Sequence, residues 1–564
     1  MTHDPSSECS NTSHDKASTK VSARLHQQCV DLLTEVDAFR SLLETNLRNP
    51  QLVEVRQFRS NVNSELKMLQ KLEQKLTVQI KNQRTSEEKG VEADNEADQS
   101  GEEGQPNKEL SSSQQIGDGK SDNIDHEIEM RLVHALRSSN MPFYQAVWDI
   151  ASNSCEGLLA MGKRFYWDHE FETNRVGKGS GGGDKQANKD KRKSVFVDIV
   201  AADGAEWVKV STISESRLLF EMAKKGWEAE SEDDFSDSDD KRPAKRTILR
   251  NFDGDDPGED DDDDEMELIK LARDLRKAAN ATRVRYKHPQ VRLVLPKIGE
   301  GSVPEIDDIL AELRSYGIQV ECQANLTPRQ GKSDLTRLLP QPFKNFTPTL
   351  NVDCTLLLAM VSDLSHIKDI TILPSFHRAI VRQIEVEKDM PLLPSELWPS
   401  MGSHELICAS EAAVRMREIV ELIGSTTEKA RMDILMESPA SYGVDRKTLI
   451  ERFQALSDHT VPTDWAIPVK IVDAQPEIES CLAEKKLPSV ADDVADGLSD
   501  INYSVFMYGW VKDMTTITSN RTIDKQIETT IEKNRNDDES IEGPHVWVCD
   551  TARSLVGKDK GRKD

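Results

Sequence analysis

The sequence has few cysteines, and they form no paired motif. Eight cysteines are scattered over 564 residues without a CxxC pair. This spacing argues against a zinc ribbon and against a disulfide framework, and it favours a reducing compartment. The first residues, MTHDPSSECSNTSHDK, also lack the apolar run of a secretory signal.

Long apolar runs and aromatic residues are scarce as well. No stretch approaches the roughly 20 continuous apolar residues that a membrane helix needs, and Phe, Trp and Tyr together make up only 5% of the chain. We therefore expect a soluble intracellular protein without a membrane segment. The sequence shows no arrangement of aromatic residues for stacking on bases.

The chain has an excess of acid, with a formal net charge of −27. That charge disfavours capture of nucleic acid by the whole surface. Much of the acid lies in stretches such as SEDDFSDSDD and GEDDDDDEME, so one local basic groove stays compatible with the composition. The basic cluster KRPAKR at 241–246 is either a nuclear import signal or an accident of composition. We expect a cytoplasmic location, a nuclear one, or both.

Composition and periodicity divide the chain into folded and flexible parts. We predict disordered residues at 1–20, a helical hairpin at 21–81, a disordered linker at 82–124, a middle α/β domain at 125–325 with flexible inserts at 173–194 and 228–264, a linker at 326–346, a C-terminal α/β domain at 347–556 and a tail at 557–564.

The helical hairpin is predicted from two apolar stripes separated by Asn49-Pro50. Apolar residues recur at spacings of three, four and seven, as on one face of a helix. Such a stripe is typical of a packing surface, and the N-terminal helices are also where we expect any protein partner to bind. The stripe residues are Leu25, Leu32, Val36, Phe39 and Leu43 in the first helix and Val62, Leu66, Leu69, Leu76 and Ile80 in the second.

A β-hairpin is predicted in the middle domain by SVFVDIVAADGAEWVKVST, with its turn at Asp203-Gly204. Its charged residues Asp198, Glu206 and Lys209 invite comparison with nucleases that use an acid followed by an acid-x-Lys pair. Two residues separate Glu206 from Lys209 here, so they face opposite sides of a strand. We interpret the three as surface and edge charges.

Acidic residues follow the predicted strands of the C-terminal domain, at the ends where α/β sheets place their sites. Asp353 follows TLNV, Asp473 follows IPVKIV, Asp513 follows a strand predicted within DINYSVFMYGWVKD, and Asp550 follows HVWVC. Glu411 lies in the first turn of a helix. Asp353 is either an N-cap of the next helix or a ligand of a hard cation, since Mg²⁺ or Mn²⁺ takes carboxylate oxygens of this kind.

Several segments occur together in one order: SELKMLQKLEQ, FVDIVAADGAEWVKV, LNVDCTLLLAMVSDLSH, CASEAAVRMREIVELIG, IVDAQP, TITSN and HVWVCDTARSLVGK. In these segments the chain resembles an uncharacterised eukaryotic family of unknown function whose C-terminal half is PIN-like. PIN domains are α/β/α sandwiches around a mainly parallel sheet. Their active members are metal-dependent ribonucleases with three or four acids at the carboxyl edge of that sheet.

The resemblance implies roles for individual residues of 347–556. Asp353 with Thr355 matches the first-strand acid and its hydroxyl neighbour, Glu411 matches the acid on the following helices, and Asp473 is a further candidate. Trp510 stands where the family tends to have an acid, so either Asp513 replaces that acid or a ligand is missing.

Two functions follow from this resemblance. The first is a Mg²⁺- or Mn²⁺-dependent endoribonuclease, with Asp353, Glu411 and Asp513 catalytic and with Asp473 added to these three as metal ligands. The second is a catalytically inactive PIN-like scaffold that acts through protein–protein interaction.

Overall fold

The computed structural model describes residues 11–46, 49–96, 134–136, 138–167, 193–224, 265–326, 334–374, 376–436, 438–439, 442–536, 538–549 and 553–556. The chain forms two compact units. The N-terminal unit comprises Met1–Thr282 with Pro289–Pro340, and the C-terminal unit comprises Arg283–His288 with Gln341–Asp564. No helix of the described parts is both long enough and apolar enough to cross a bilayer. The predicted disordered segments lie outside the described residues at 1–10, 97–124, 173–192 and 228–264. The prediction of disorder is wrong at 11–20 and 82–96, because these residues belong to the helices Asn11–Thr45 and Asn49–Glu96.

The N-terminal unit begins with the predicted pair of helices, α1 (Asn11–Thr45) and α2 (Asn49–Glu96). Asn49-Pro50 starts the second helix, where a proline costs nothing because the first N–H groups have no intrahelical acceptor. Asp37 and Arg59 join the helices through a hydrogen bond of 2.5 Å from Arg59 Nε to Asp37 Oδ1. The predicted stripes are buried in the core at Leu25, Leu32, Val36, Phe39, Leu43, Val62 and Leu69.

A five-stranded mixed sheet forms the rest of the N-terminal unit. Its strand order is β1-β2-β3-β4-β5; β1, β2 and β3 are antiparallel, and β3, β4 and β5 are parallel. The predicted β-hairpin is confirmed as β2 and β3. The elements are α3 (Met141–Ser154), β1 (Ala160–Tyr166), β2 (Ser194–Ala201), β3 (Glu206–Val210), α4 (Glu215–Lys224), α5 (Glu267–Asn280), β4 (Gln290–Leu295), α6 (Pro304–Ser315) and β5 (Gln319–Cys322).

The interpretation of Asp198 as a surface charge is wrong. Asp198 is 4% exposed, and its carboxylate accepts hydrogen bonds from the Val210 N–H at 2.7 Å and from Lys209 Nζ at 3.3 Å. Burial raises the pKa of Asp198, and Lys209 opposes that rise. Lys209 therefore compensates a buried carboxylate on the neighbouring strand.

The C-terminal unit is built on a parallel sheet, which confirms the predicted mixed α/β organisation. Its strand order is β10-β9-β6-β7-β8, so β6, the first strand of this unit, lies at the centre. The strands are β6 (Thr349–Val352), β7 (Glu405–Ala409), β8 (Lys470–Val472), β9 (Thr515–Thr518) and β10 (Val546–Val548). Because all five run the same way, their carboxyl ends lie at one edge.

Helices fill the segments between these strands and cover the sheet with apolar residues. Two of them are extended by π-helical turns, at Leu393–Leu397 and Tyr503–Met507. The helices are α7 (Cys354–Val361), α8 (Asp363–His366), α9 (Arg378–Asp389), α10 (Trp398–Met401), α11 (Ser410–Ile423), α12 (Thr426–Leu435), α13 (Arg446–Gln454), α14 (Gln475–Ala483), α15 (Val490–Asp496), α16 (Asp500–Asn502), α17 (Tyr508–Val511) and α18 (Arg521–Asn534).

The strand predicted within residues 500–513 is wrong, because α16, the π-helical turn and α17 occupy this segment. Residues 504–510 are all buried, and a short helix that is apolar all round cannot be told from a buried strand by periodicity. A Cβ at Gly509 would collide with Thr516 Oγ1 of β9. The helix therefore approaches the sheet closely only because residue 509 is glycine.

Candidate functional site

The carboxyl edge of the C-terminal sheet collects polar residues from four strands. Asp353 follows β6, Ser410 starts α11 directly after β7, Asp473 follows β8, and Thr518 ends β9. Asp550 follows β10 in the sequence and lies outside the described residues. The predicted strand-end positions of Asp353 and Asp473 are thus confirmed, whereas that of Asp513 is not.

Asp353 is buried at the N-cap position of α7, yet its side chain does not cap that helix. The residue is 2% exposed. Its Oδ2 accepts hydrogen bonds from Thr355 Oγ1 at 2.6 Å and from Thr518 Oγ1 at 2.7 Å. Its Oδ1 accepts none from the described residues. Of the two roles considered for Asp353, the structure does not support a side-chain N-cap, because its carboxylate accepts no hydrogen bond from the N–H groups of α7.

The two hydroxyl groups that hold Asp353 are themselves fixed by backbone N–H groups. Ser519 N–H donates to Thr355 Oγ1 at 3.1 Å, and Asn520 N–H donates to Thr518 Oγ1 at 2.9 Å. Each hydroxyl oxygen accepts a hydrogen bond from an N–H group and donates its own proton to the carboxylate, which can only accept. Sequence reasoning missed Thr518, although the segment TITSN carried part of the family resemblance.

Glu411 lies in the first turn of α11 and is half-buried. Its Oε2 accepts a hydrogen bond of 3.1 Å from Ser410 Oγ. Arg415 lies one turn further along the same helix face. Burial and the charge of Asp353 raise the pKa of the Cys354 thiol to about 12, and Arg415 opposes this rise.

Asp473 lies further from Asp353 along the same edge. It is exposed and follows β8, which is two strands away from β6 in the sheet. Neighbouring strands are about 4.8 Å apart, so the two positions are roughly 10 Å apart across the sheet. At this separation the carboxylates of Asp353 and Asp473 are too far apart to bind one cation directly.

Asp513 is at the opposite edge of the sheet. It precedes β9, adopts φ 51° and lies beside His545, with 3.4 Å between His545 Nε2 and Asp513 Oδ1. The carboxylate is 88% exposed. The length of β9, roughly 13 Å for four residues, separates it from Thr518. Trp510, predicted to stand in an acid's place, is buried in α17 and is 8% exposed.

The donors at the carboxyl edge have the chemistry that a hard cation prefers. Mg²⁺ is commonly bound by one or two carboxylates, with waters and substrate phosphates completing its octahedron. Asp353 and Glu411 fit this requirement by residue type. Over the residues that the structure describes, no group of three or more His, Cys, Asp or Glu side chains is placed to hold a metal ion. The assignment of Asp353, Glu411, Asp473 and Asp513 as metal ligands stays a prediction.

Comparison with known proteins gives one match. A family model described as a protein of unknown function (DUF1308) matches residues 350–458, which include β6, β7, Asp353 and Glu411. No curated protein and no solved structure matches the chain. The match agrees with the predicted resemblance to an uncharacterised family, and it centres on the part of the chain that holds the two carboxylates.

Proposed function

We propose that the C-terminal unit is a PIN-like α/β/α sandwich that hydrolyses RNA phosphodiester bonds with Mg²⁺ or Mn²⁺ at its carboxyl edge. The observation that carries the proposal is the state of Asp353. This carboxylate is buried at the end of the central strand, and two hydroxyl groups orient one of its oxygens while the other accepts no hydrogen bond from the described residues.

A buried carboxylate needs compensation. Removing an ionised group from water costs several kcal/mol unless hydrogen bonds or an opposite charge offset that cost. Two hydroxyl donors offset part of it at Asp353 Oδ2. A divalent cation held by this carboxylate would supply the rest, and the side chain makes no cap hydrogen bond that would compete with the ion.

The side chains at this edge then have distinct roles. Asp353 and Glu411 would hold the ion, and Thr355 and Thr518 position Asp353 for it. When bound, such an ion activates water and stabilises negative charge on a phosphate. Asp473, exposed further along the edge, would bind through water or bound substrate. We do not place Asp513 in this group, since it lies beyond the opposite end of β9.

The test compares the native full-length chain with Asp353→Asn on labelled single-stranded and hairpin RNAs. Asn keeps the shape of the side chain and one oxygen that accepts from the threonines. We expect manganese-dependent cleavage by the native chain and at least a roughly 100-fold loss in Asp353→Asn, the upper end of the effect of disturbing a metal site. Asp464→Asn is the matched control, because Asp464 is an exposed residue of the same unit.

Binding of Mn²⁺ gives a second readout that does not depend on activity. Titration followed by electron paramagnetic resonance should show one site in the native chain and in Asp464→Asn, and a much weaker site in Asp353→Asn. Equal residual cleavage by all three proteins would indicate a contaminating nuclease and would refute the proposal. The absence of both cleavage and manganese binding would favour the inactive scaffold.

A further inference from the structure

The N-terminal unit presents exposed aromatic rings on the antiparallel pair β1 and β2. Tyr166 is 45% exposed and Phe196 is 42% exposed. β1 is the edge strand of its sheet. Two exposed rings on paired strands are notable in a chain whose aromatic content is only 5%, because contiguous apolar patches often mark a binding surface whereas single exposed apolar residues are normal.

Strand register places these rings on one face with a basic residue. Phe196 lies directly opposite Arg164, and Tyr166 lies opposite Ser194. Alternate residues of a strand share a face and paired residues lie side by side, so Arg164, Tyr166 and Phe196 project together. Tyr166 and Phe196 are diagonal neighbours, about 7–8 Å apart. We call these three residues, together with Lys209, the aromatic-basic face.

Lys209 lies beside the Phe196 ring, and its charge is compensated by the buried Asp198. Its Nζ lies 5.4 Å from the centre of the Phe196 ring. The negative charge nearest to it is the buried Asp198, which pairs with Lys209 at 3.2 Å. Arg164 remains exposed and donates a hydrogen bond of 3.1 Å to Ser194 Oγ.

The Phe196 ring has a defined place on the surface. It lies across Gly162, whose φ is +81°; a Cβ there would be only 2.9 Å from Phe196 Cζ. Glycine at position 162 therefore lets the ring lie against the strand. Because the ring is placed in advance, little side-chain entropy is lost when a ligand stacks on it.

We propose that the aromatic-basic face binds single-stranded RNA without sequence preference. Aromatic side chains that stack bases, next to cations that contact phosphates, are the means by which proteins hold single strands. An acidic peptide would match the charge of Arg164 but would offer no flat ring to stack on Tyr166 and Phe196. The observations therefore favour a nucleic acid.

This surface is distinct from the carboxyl edge of the C-terminal sheet, so it can fail or succeed independently of the cleavage proposal. Binding here needs no metal ion. It is measured in EDTA, where metal-dependent cleavage does not occur, by fluorescence anisotropy of a labelled oligouridine of about 12 nucleotides. Asp353→Asn should bind it as tightly as the native chain does.

The decisive variant is Tyr166→Ala/Phe196→Ala, for which we expect at least a tenfold rise in Kd. Phe196→Leu removes the aromatic ring but keeps an apolar side chain over Gly162, so it should also weaken binding. This variant guards against misfolding as the cause of the loss. The matched control is Phe220→Ala, since Phe220 on α4 is 71% exposed and lies outside the face. Arg164→Gln should lower the slope of log Kd against log salt by about one.

Several outcomes would overturn the inference. One is that the native chain shows no saturable binding, and another is that Phe220→Ala weakens binding as much as the double variant does. A third is that polyglutamate binds as tightly as the oligouridine and with the same sensitivity to Tyr166→Ala/Phe196→Ala, which would identify an acidic protein partner instead.

Discussion

Thr518 donates a hydrogen bond of 2.7 Å to Asp353 although 165 residues separate them in the chain. The bond joins the ends of β9 and β6, which are neighbours in the sheet. Thr355 donates a second hydrogen bond to the same oxygen, at 2.6 Å. The orientation of the carboxylate therefore depends on the pairing of β6 with β9 as well as on the residues that follow β6.

Thr518→Val should destabilise the C-terminal unit, because it removes a hydroxyl that donates to a buried carboxylate and accepts from Asn520 N–H. A hydrogen bond to a charged group contributes about 1.5–3 kcal/mol, and valine keeps the shape of the side chain. We expect a loss of about 1–3 kcal/mol in the free energy of unfolding, measured by urea denaturation followed by circular dichroism. Thr529→Val, at an exposed threonine of α18 that bonds only to Lys525 O, should cost under about 0.5 kcal/mol. Equal losses in the two variants would contradict the role of Thr518.

Local pattern was enough to predict some parts of the site. A short apolar strand followed by Asp and a helical run identifies the positions of Asp353 and Asp473, because the change of period from two to 3.6 marks where the strand ends. Thr518 was not predictable in this way. Its contact with Asp353 depends on the order of the strands in the sheet, and a short stretch of sequence does not reveal that order.

The errors have equally definite causes. A strand was predicted within residues 500–513 because 505–510 carry no charged side chain, whereas this segment is helical and Asp513 precedes β9. The aromatic-basic face was missed because Arg164 and Phe196 are paired across strands and are far apart in sequence. Both features depend on tertiary pairing.

Asp513→Asn tests where the reactive edge lies. Asn is tolerated at positive φ nearly as well as Asp, and the carboxylate is almost fully exposed, so the variant should fold normally. We expect manganese-dependent RNA cleavage within about twofold of the native rate, since loss of one exposed charge is a small perturbation. A loss as large as that of Asp353→Asn would return Asp513 to the site and would require the loop before β9 to rearrange.

Arg431→Met should be among the most damaging changes in the segment that matches the family model. Arg431 is 1% exposed; its guanidinium donates to Asp363 Oδ1 at 2.7 Å, to Val361 O at 2.9 Å and to Leu456 O at 2.6 Å. Breaking a buried ion pair by removing one partner costs about 3–5 kcal/mol. The unfolding midpoint in urea should therefore fall sharply.

Arg415→Met is the control for that experiment, because Arg415 is exposed and its ion pair among the described residues is with Glu418 one turn away, at 3.2 Å. Surface pairs of this kind contribute about 0–1 kcal/mol. If Arg431→Met were no more destabilising than Arg415→Met, the buried network around Asp363 would not stabilise the fold.

Asp524 should make the C-terminal unit less stable at neutral pH than in mild acid. Burial, with a smaller contribution from Glu528, raises the pKa of Asp524 from 3.8 to about 6, while Arg521 and Lys525 oppose the rise. Between about pH 4 and pH 6 the folded state keeps a proton that the unfolded state has released, so the free energy of unfolding falls as pH rises through this window.

Asp524→Asn removes the effect. It should be more stable than the native chain by about 1–2 kcal/mol at pH 7.5, a value discounted for partial exposure, and the gain should vanish below about pH 4. Urea denaturation across pH 4–8 measures both curves, with Asp464→Asn following the native curve; parallel curves for Asp524→Asn and the native chain would show that the carboxyl titrates as it does in water.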